Sequence, residues 1–143
     1  MIMRAIISLA IFCLTIGSLS AETSENAAII EVVDRSYVQG VHLDADAEKM
    51  RSGMHESFVM FVRTEDGMSQ VTRDAWIARL KPRSASDPRP DVKANIVVLD
   101  HVGDSAVVKV DLFRGGKQVF TDYISLYRFK DGWKLVGKIF QRH

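Results

Sequence analysis

The chain has 143 residues, of which 47% are hydrophobic and 26% are charged. That length and composition fit one globular domain, and they exclude both a two-domain protein and an intrinsically disordered chain. Lys and Arg number 19 and Asp and Glu number 18, so the net charge is +1. Proteins dedicated to nucleic acids or anionic membranes carry a basic excess, so neither partner is expected here.

The first residues are typical of a secretory signal peptide. Arg4 gives a short positive region, residues 5–16 form an uncharged apolar run, and small residues follow near Ser20 and Ala21. The run is shorter than the about 20 residues that span a bilayer. We therefore expect residues 1–21 to be removed on export. A buried N-terminal helix or an uncleaved anchor is the less favoured interpretation.

The cysteine count fits an exported domain that has no disulfide. The only cysteine, Cys13, lies inside the expected signal peptide, so residues 22–143 contain no thiol. The mature domain then has neither a disulfide nor a cysteine nucleophile, and its core alone has to stabilise it. We expect residues 22–143 to act as one domain in the periplasm or outside the cell, with no membrane contact after cleavage.

The beginning of this domain predicts two helices. Apolar residues recur at helical spacing from about Ser24 to Gly40, with Thr23 or Ser24 as the cap and Gly40 as the end. Asp44 is a suitable N-cap for a second, shorter helix. Both helices would place an apolar face on the core.

A short strand, a third helix and a loop follow. Residues 58–63 predict the strand, and the turn signal at 65–67 ends it. Thr72 predicts the start of the third helix, which carries Trp76. Residues 81–91 hold all three prolines, so they predict a loop.

From residue 92 onward the apolar pattern changes to period two, which predicts strands. Gly-containing turn signals separate them, so neighbouring strands form antiparallel hairpins. The predicted strands are 92–99, 106–112, 119–129 and 133–140. Helices followed by strands indicate an α+β domain, with three N-terminal helices packed on one face of a curved antiparallel sheet.

The familiar catalytic and cofactor motifs are absent from the sequence. There is no Gly-x-Ser-x-Gly, no phosphate-binding glycine-rich loop and no Gly-x-Gly-x-x-Gly. The four histidines lack the spacing of a ligand pair on one helix. We therefore expect no metal site and no cofactor.

Asp122 is the most informative polar residue, because it shares a strand face with apolar side chains. Side chains alternate along a strand, so Phe120, Asp122, Ile124 and Leu126 point to the same side, towards the helices. Asp122 is then either a general base or ligand anchor, or a structural acid bonded to a helix terminus or to an internal Arg or Lys. The same alternation predicts that Lys138 faces the other side.

Four further residues complete a candidate ligand pocket around Asp122. Tyr37 lies on the apolar stripe of the first helix, and Trp76 lies on the third helix. His55 follows the second helix beside Phe58, and histidine is a residue type often used in acid–base chemistry. Tyr37 and His55 are tentative partners of Asp122 in catalysis. Each of these residues also has an ordinary explanation, since aromatic side chains usually pack in cores and histidines often lie in loops.

The order of elements and several short motifs resemble the nuclear transport factor 2-like superfamily, and within it the "putative lumazine-binding" subgroup. The opening motifs are Tyr37-Val38-Gln39-Gly40, Asp46-Ala47-Glu48-Lys49-Met50 and Met54-His55. The closing motifs are Gly103-Asp104-Ser105-Ala106-Val107-Val108, Thr121-Asp122-Tyr123-Ile124-Ser125-Leu126 and Asp131-Gly132-Trp133-Lys134-Leu135-Val136. The resemblance implies a cone-shaped fold with a cavity for a small apolar or heteroaromatic molecule, and a homodimer formed through the outer face of the sheet.

Three functions are compatible with this resemblance, because the superfamily includes ketosteroid-isomerase-like and dehydratase-like enzymes, SnoaL-like cyclases and non-catalytic binders. The first is an exported small-molecule-binding domain that has no catalytic site. The second is a cofactor-free isomerase, dehydratase or cyclase that uses Asp122 as general base and Tyr37 or His55 as the donor. The third is a structural or protein-interaction domain with a filled cone.

Overall fold

The computed structural model describes residues 16–143, with side chains from residue 21 onward. Arg4, Cys13 and most of the apolar run of the expected signal peptide lie outside the described residues. The helices are α1 (Ile16–Val33), its continuation as a π-helix (Asp34–Leu43), α2 (Ala47–Gly53) and α3 (Arg73–Ile77). The strands are β1 (Met54–Arg63), β2 (Met68–Thr72), β3 (Val92–Val102), β4 (Ser105–Arg114), β5 (Lys117–Phe129) and β6 (Gly132–Arg142).

The first helix is longer at both ends than its sequence pattern predicts. It begins before Thr23 and Ser24, so these residues lie within it and do not cap it. It also passes Gly40, because the chain widens into a π-helix whose end is marked by a bond from Asp44 N–H to the Gln39 carbonyl at 2.8 Å. A π-helix bonds residues five apart, so each turn accommodates one more residue than an α-turn.

Helix α2 is capped by Asp46 and not by Asp44. The Asp46 carboxylate accepts bonds from the backbone N–H groups of Glu48 and Lys49 at 2.8 and 3.1 Å. Asp44 instead pairs with the Lys49 ammonium at 2.7 Å. The helix ends at Gly53, where an added Cβ would lie 2.5 Å from the Ser36 side chain, so only glycine permits this close approach to the first helix.

Six strands form one curved, open sheet in the order β2-β1-β6-β5-β4-β3. The meander from β3 to β6 is antiparallel, as the period-two pattern predicts. The first strand starts at Met54, earlier than predicted, and the unpredicted β2 pairs with it as a hairpin. The β1–β6 pairing is parallel, so the sheet is mixed.

The third helix and the proline-rich loop follow the sequence prediction. Thr72 caps α3, since its hydroxyl accepts a bond from Ala75 N–H at 3.2 Å. Helix α3 carries Trp76 and is only five residues long. Residues 81–91 form no helix or strand.

The helices cover the concave face of the sheet, and the core lies between these two layers. The largest fully buried side chains there are those of Ile29, Tyr37, Met50, Met54, Phe58, Ile124, Leu126 and Leu135. The domain is therefore α+β with three helices, as expected. From residue 16 onward, no helix is both long enough and apolar enough to cross a membrane.

Candidate functional site

Asp122 lies inside the cone and contacts two other polar side chains. Its side chain is fully buried, and it accepts a hydrogen bond from the Tyr37 hydroxyl at 2.6 Å. Its second carboxylate oxygen forms an ion pair with the Lys138 ammonium, which also donates to the Tyr37 oxygen at 3.1 Å. We call Tyr37, Asp122 and Lys138 the buried triad. Asp122 faces the helices, as its strand position predicts.

The prediction that Lys138 faces away from Asp122 is wrong, and a β-bulge explains why. Leu135 pairs with Leu126, whereas Gly137 pairs with the preceding residue of β5, Ser125, so Val136 is one residue too many on β6. A bulge of this kind reverses the alternation of side chains beyond it. Leu135 and Lys138 therefore both point into the cone.

Four aromatic rings surround the Lys138 ammonium. The ring centroids of Phe140 and Tyr37 lie 4.5 and 4.9 Å from Nζ, and those of Trp76 and Phe120 lie 5.8 and 6.0 Å away. We call these four rings the aromatic box. Ring faces carry partial negative charge and attract a cation, which offsets part of the energy of burying one.

Burial and charge shift the pKa values of two members of the triad. Burial lowers the pKa of the Lys138 ammonium from its usual 10.5, and the Asp122 carboxylate only partly opposes that change. Burial also raises the pKa of the Tyr37 hydroxyl above 10, and the neighbouring Asp122 raises it further. Tyr37 is therefore a proton donor in this site, and the Lys138 amine is easier to deprotonate than a surface lysine.

His42 packs against the triad, and the sequence analysis missed it. Its ring meets the Tyr37 ring edge-on with a centroid distance of 4.9 Å, although five α-helical residues would separate the two by about 140°. The wider π-turn places both on one side. Its Nε2 is buried and has no hydrogen-bond partner among the described residues. Burial, with Lys138 and Arg114 nearby, lowers the pKa of His42 to about 3.

The structure brings four of the five predicted pocket residues together. Tyr37 contacts Asp122, and the Trp76 ring lies 6.1 Å from the rings of both Tyr37 and Phe58. The alternation of side chains along β5 correctly predicted that Phe120 lies on the same face as Asp122. Phe140 and Lys138 were missed because the bulge hides their orientation.

His55 does not join this group, contrary to the predicted pocket. It lies on β1 and stacks on Phe129 with a centroid distance of 4.7 Å. Phe129 is seven residues from Asp122 along β5, which is roughly 23 Å at the rise of a strand. The His55 ring also accepts a bond from Ser57 N–H at 3.1 Å. His55 thus belongs to the opposite end of the sheet.

A cleft adjoins the aromatic box where β1 and β6 separate. The last residue pair of their ladder is Met60 with Lys138. Beyond it, a cavity of about 530 Å³ is lined by residues 62–65 and 140–142, so Phe140 borders both the cleft and the box. Among the side chains described from residue 21 on, no cluster of His, Cys, Asp or Glu could hold a metal ion.

Comparison with known proteins identifies relatives of the whole domain. A family model described as "Putative lumazine-binding" matches residues 24–141. A nuclear transport factor 2-like protein of unknown function from Shewanella baltica OS155 is similar in structure, with a TM-score of 0.68 and 25% identity over 85% of this chain and 95% of that one.

Two further solved structures share the fold at lower identity. A nuclear transport factor 2-like protein from Silicibacter pomeroyi DSS-3 has a TM-score of 0.64 and 20% identity over 87% of this chain and 98% of its own. The S. rosetta CaMKII hub has a TM-score of 0.58 and 18% identity over 82% of this chain and 96% of its own. No curated protein matches the chain.

Proposed function

This chain belongs to the "putative lumazine-binding" family of nuclear transport factor 2-like proteins, and on that premise we propose that it binds a small, mostly apolar molecule inside its cone. One observation carries the proposal: a charged pair, Asp122 and Lys138, is buried beneath four aromatic rings. Buried ion pairs rarely stabilise a fold better than apolar side chains of similar size. Their presence in the core is therefore better explained by a ligand that they recognise.

The chemistry of the site favours a flat ligand that carries an oxygen atom. The faces of Trp76, Phe120 and Phe140 suit an aromatic or heteroaromatic ring, and the Lys138 ammonium suits a carbonyl or oxyanion. The family's description names lumazine, a heteroaromatic ring system with carbonyl groups. A ligand of that class would lie against the box and direct an oxygen towards Lys138.

The triad argues against Asp122 as the free general base of an isomerase, dehydratase or cyclase. Tyr37 occupies one carboxylate oxygen and Lys138 the other. A general base needs an oxygen within reach of the substrate proton. Catalysis through Asp122 would require one of these two contacts to break, whereas ligand binding does not. We therefore prefer binding to catalysis through Asp122. The interaction-domain alternative needs a filled cone and gives no reason for a buried charge.

Tryptophan fluorescence tests the binding proposal, because the chain has only two tryptophans. Trp76 lies in the box, and Trp133 lies elsewhere and donates to Glu25. In a Trp133→Phe background, titration with lumazine should quench the emission of Trp76 with saturation. Lys138→Met should weaken this binding at least tenfold, and the outer-face variant Tyr123→Phe should leave it unchanged. Quenching that does not saturate, or is equal in all variants, contradicts the proposal.

Native mass spectrometry of protein purified from its own source complements the titration. A stoichiometric extra mass on the chain that is lost in Lys138→Met would support a ligand in the cone, and its formula would give the chemical class. The absence of any extra mass together with the absence of saturable quenching would favour the interaction-domain alternative.

We also propose that the domain acts after export. The support is the charged start, apolar run and small residues of 1–21. The mass of the mature chain should correspond to an N-terminus at Ala21 or Glu22. A mature chain that retains Met1 and stays in the cytoplasm would contradict export.

A homodimer through the outer face of the sheet is the expected assembly. That face exposes apolar side chains on neighbouring strands, among them Tyr123, Tyr127 and Ile139. Tyr123 pairs directly with Ile139 across β5 and β6, so the exposed groups are adjacent. Sedimentation should give a dimer that Ile139→Lys converts to a monomer, while Lys117→Ala at a turn leaves it dimeric. A wild-type monomer would refute this assembly.

A further inference from the structure

The Lys138 amine differs chemically from the lysines on the surface of the domain. Its side chain is only 5% exposed, and it lies among aromatic rings within hydrogen-bond distance of a hydroxyl and a carboxylate. Desolvation in an apolar pocket is one of the ways in which proteins activate a lysine as a nucleophile.

We propose that Lys138 captures aldehyde or ketone ligands covalently, as an imine at Nζ. The inference rests on the proposed ligand site and deepens it by naming the class of ligand. Tyr37 and Asp122 are the two groups that this chemistry needs beside the amine. The hydroxyl of Tyr37 lies 3.1 Å from Nζ and 2.6 Å from the carboxylate, so a proton can move among all three.

The step balances without an added reactant. Asp122 takes one proton from the ammonium, and the free electron pair of Nζ forms a bond to the carbonyl carbon. The carbonyl oxygen takes a proton from Tyr37, which Asp122 restores. The nitrogen then loses a second proton, which is delivered to the same oxygen, the C–O bond breaks and water leaves. An ammonium and a carbonyl compound thus give a protonated imine and water, and Asp122 remains paired with a cation.

The cleft between β1 and β6 gives such a ligand a route to the amine. Its volume of about 530 Å³ accommodates a small aromatic aldehyde. Phe140 lines the cleft, and its ring centroid lies 4.5 Å from Nζ, so the cleft and the amine are in contact with the same side chain. The ring faces of the box suit a flat apolar group attached to the carbonyl.

Two other lysines provide internal controls. Lys109 pairs with Asp111 on the outer face at 2.9 Å, and the bond to Asp111 raises the pKa of Lys109. Lys134 is held between the Asp131 carboxylate and a backbone carbonyl. The side chains of Lys109 and Lys134 are 35% and 16% exposed, so neither is buried among aromatic rings as Lys138 is. Random modification would favour these accessible amines over Lys138.

The experiment uses the exported chain with benzaldehyde and sodium cyanoborohydride at neutral pH. The reductant converts an imine to a stable benzylamine, and peptide mapping by mass spectrometry locates it. We expect one adduct per chain at Lys138 before any at Lys109 or Lys134. Adducts at the surface lysines with Lys138 unmodified in the folded protein would overturn the proposal.

Variants separate the chemical step from binding. Tyr37→Phe keeps the ring but removes the hydroxyl, so it should slow trapping at Lys138 by about a hundredfold. Lys138→Met should abolish the adduct, and Lys138→Arg repeats that test with the charge kept. Trapping at Lys138 that is as fast in Tyr37→Phe as in the wild type would remove Tyr37 from the mechanism and overturn the proposal.

Failure of this inference can be distinguished from failure of the proposed function. Quenching of Trp76 by benzaldehyde without reductant reports occupancy of the site, whether or not an imine forms. Saturable quenching with no adduct at Lys138 would refute imine formation and leave the ligand site intact. The absence of quenching by both benzaldehyde and lumazine, together with the absence of a benzaldehyde adduct, would refute both.

Discussion

Lys134 and Lys138 lie on the same strand, and each pairs with an aspartate, but the two pairs differ in their surroundings. Lys134 meets Asp131 at a turn, where the aspartate side chain is 71% exposed. Lys138 meets Asp122 inside the cone, where both side chains are almost fully buried. Water screens the first pair, whereas the second lies in a medium of low dielectric. The same two residue types thus give a surface contact in one place and a buried pair, the centre of the candidate site, in the other.

The largest expected effect comes from breaking the buried pair. Asp122→Asn leaves a lysine in the core without a counter-charge, and removing one partner of a buried pair destabilises a fold by about 3–5 kcal/mol. Urea unfolding should show this loss as a lower midpoint. The matched change at the turn, Asp131→Asn, should leave the midpoint unchanged. Equal shifts in both variants would mean that burial does not distinguish the pairs.

A double replacement tests whether the buried pair serves stability or binding. Asp122→Leu together with Lys138→Met exchanges the charges for apolar groups of similar size, which is often neutral for folding. We expect the double variant to exceed Asp122→Leu alone in unfolding free energy by about 2 kcal/mol. It should also lose lumazine binding. Additive destabilisation by the two changes would contradict this account.

His42, which lies near Lys138, should make the stability of the fold depend on pH, whereas His55, which lies near Lys134, should not. Its pKa falls from 6.5 to about 3 on folding, so between those pH values the unfolded chain binds a proton that the folded chain does not. Stability due to His42 is therefore present above pH 6.5 and is lost as the pH falls, by up to about 1.4 kcal/mol per pH unit. His42→Gln should flatten urea midpoints measured from pH 7 to 5. His55→Gln, near Lys134, is the control; an equal effect of the two would contradict this assignment.

The smallest expected effect concerns the bulge that separates the two lysines. An added Cβ at Gly137 would meet only the Val59 carbonyl oxygen, at 3.8 Å, which is an ordinary contact. Gly137→Ala should therefore change the unfolding free energy by less than about 0.5 kcal/mol and should keep Lys138 trapping unchanged. A large loss of stability would show that the bulge depends on glycine.

Features encoded by neighbouring residues could be predicted from the sequence. The meander, its turns, the Thr72 cap and the inward face of Asp122 each follow from local composition or alternation. Gly103 and Gly132 have positive φ values of 57° and 109°, a conformation that favours glycine. Local rules of this kind, with the helical spacing that marked Tyr37, established the fold class and two members of the triad, Tyr37 and Asp122.

Features that change the period of an element could not be predicted. The residues around Val136 do not indicate a bulge, yet the bulge reverses the direction in which the Lys138 side chain points. The π-helix has the same consequence for His42, because a period of 3.6 places that residue away from Tyr37. Two insertions of extra backbone thus bring Lys138, Phe140 and His42 into the candidate site, and local sequence patterns reveal neither insertion.

The central position of β6 makes formation of the site a late event in folding. Without β6 the sheet divides into a β1–β2 hairpin and a β3–β5 meander, because β6 joins them. The contacts of Tyr37 with Asp122 and Lys138 span 85 and 101 residues of chain. Contacts so distant in sequence form slowly. A nascent chain therefore lacks the buried triad until β6 has been synthesised, and a chain that folds only after leaving its compartment of synthesis forms the triad only there.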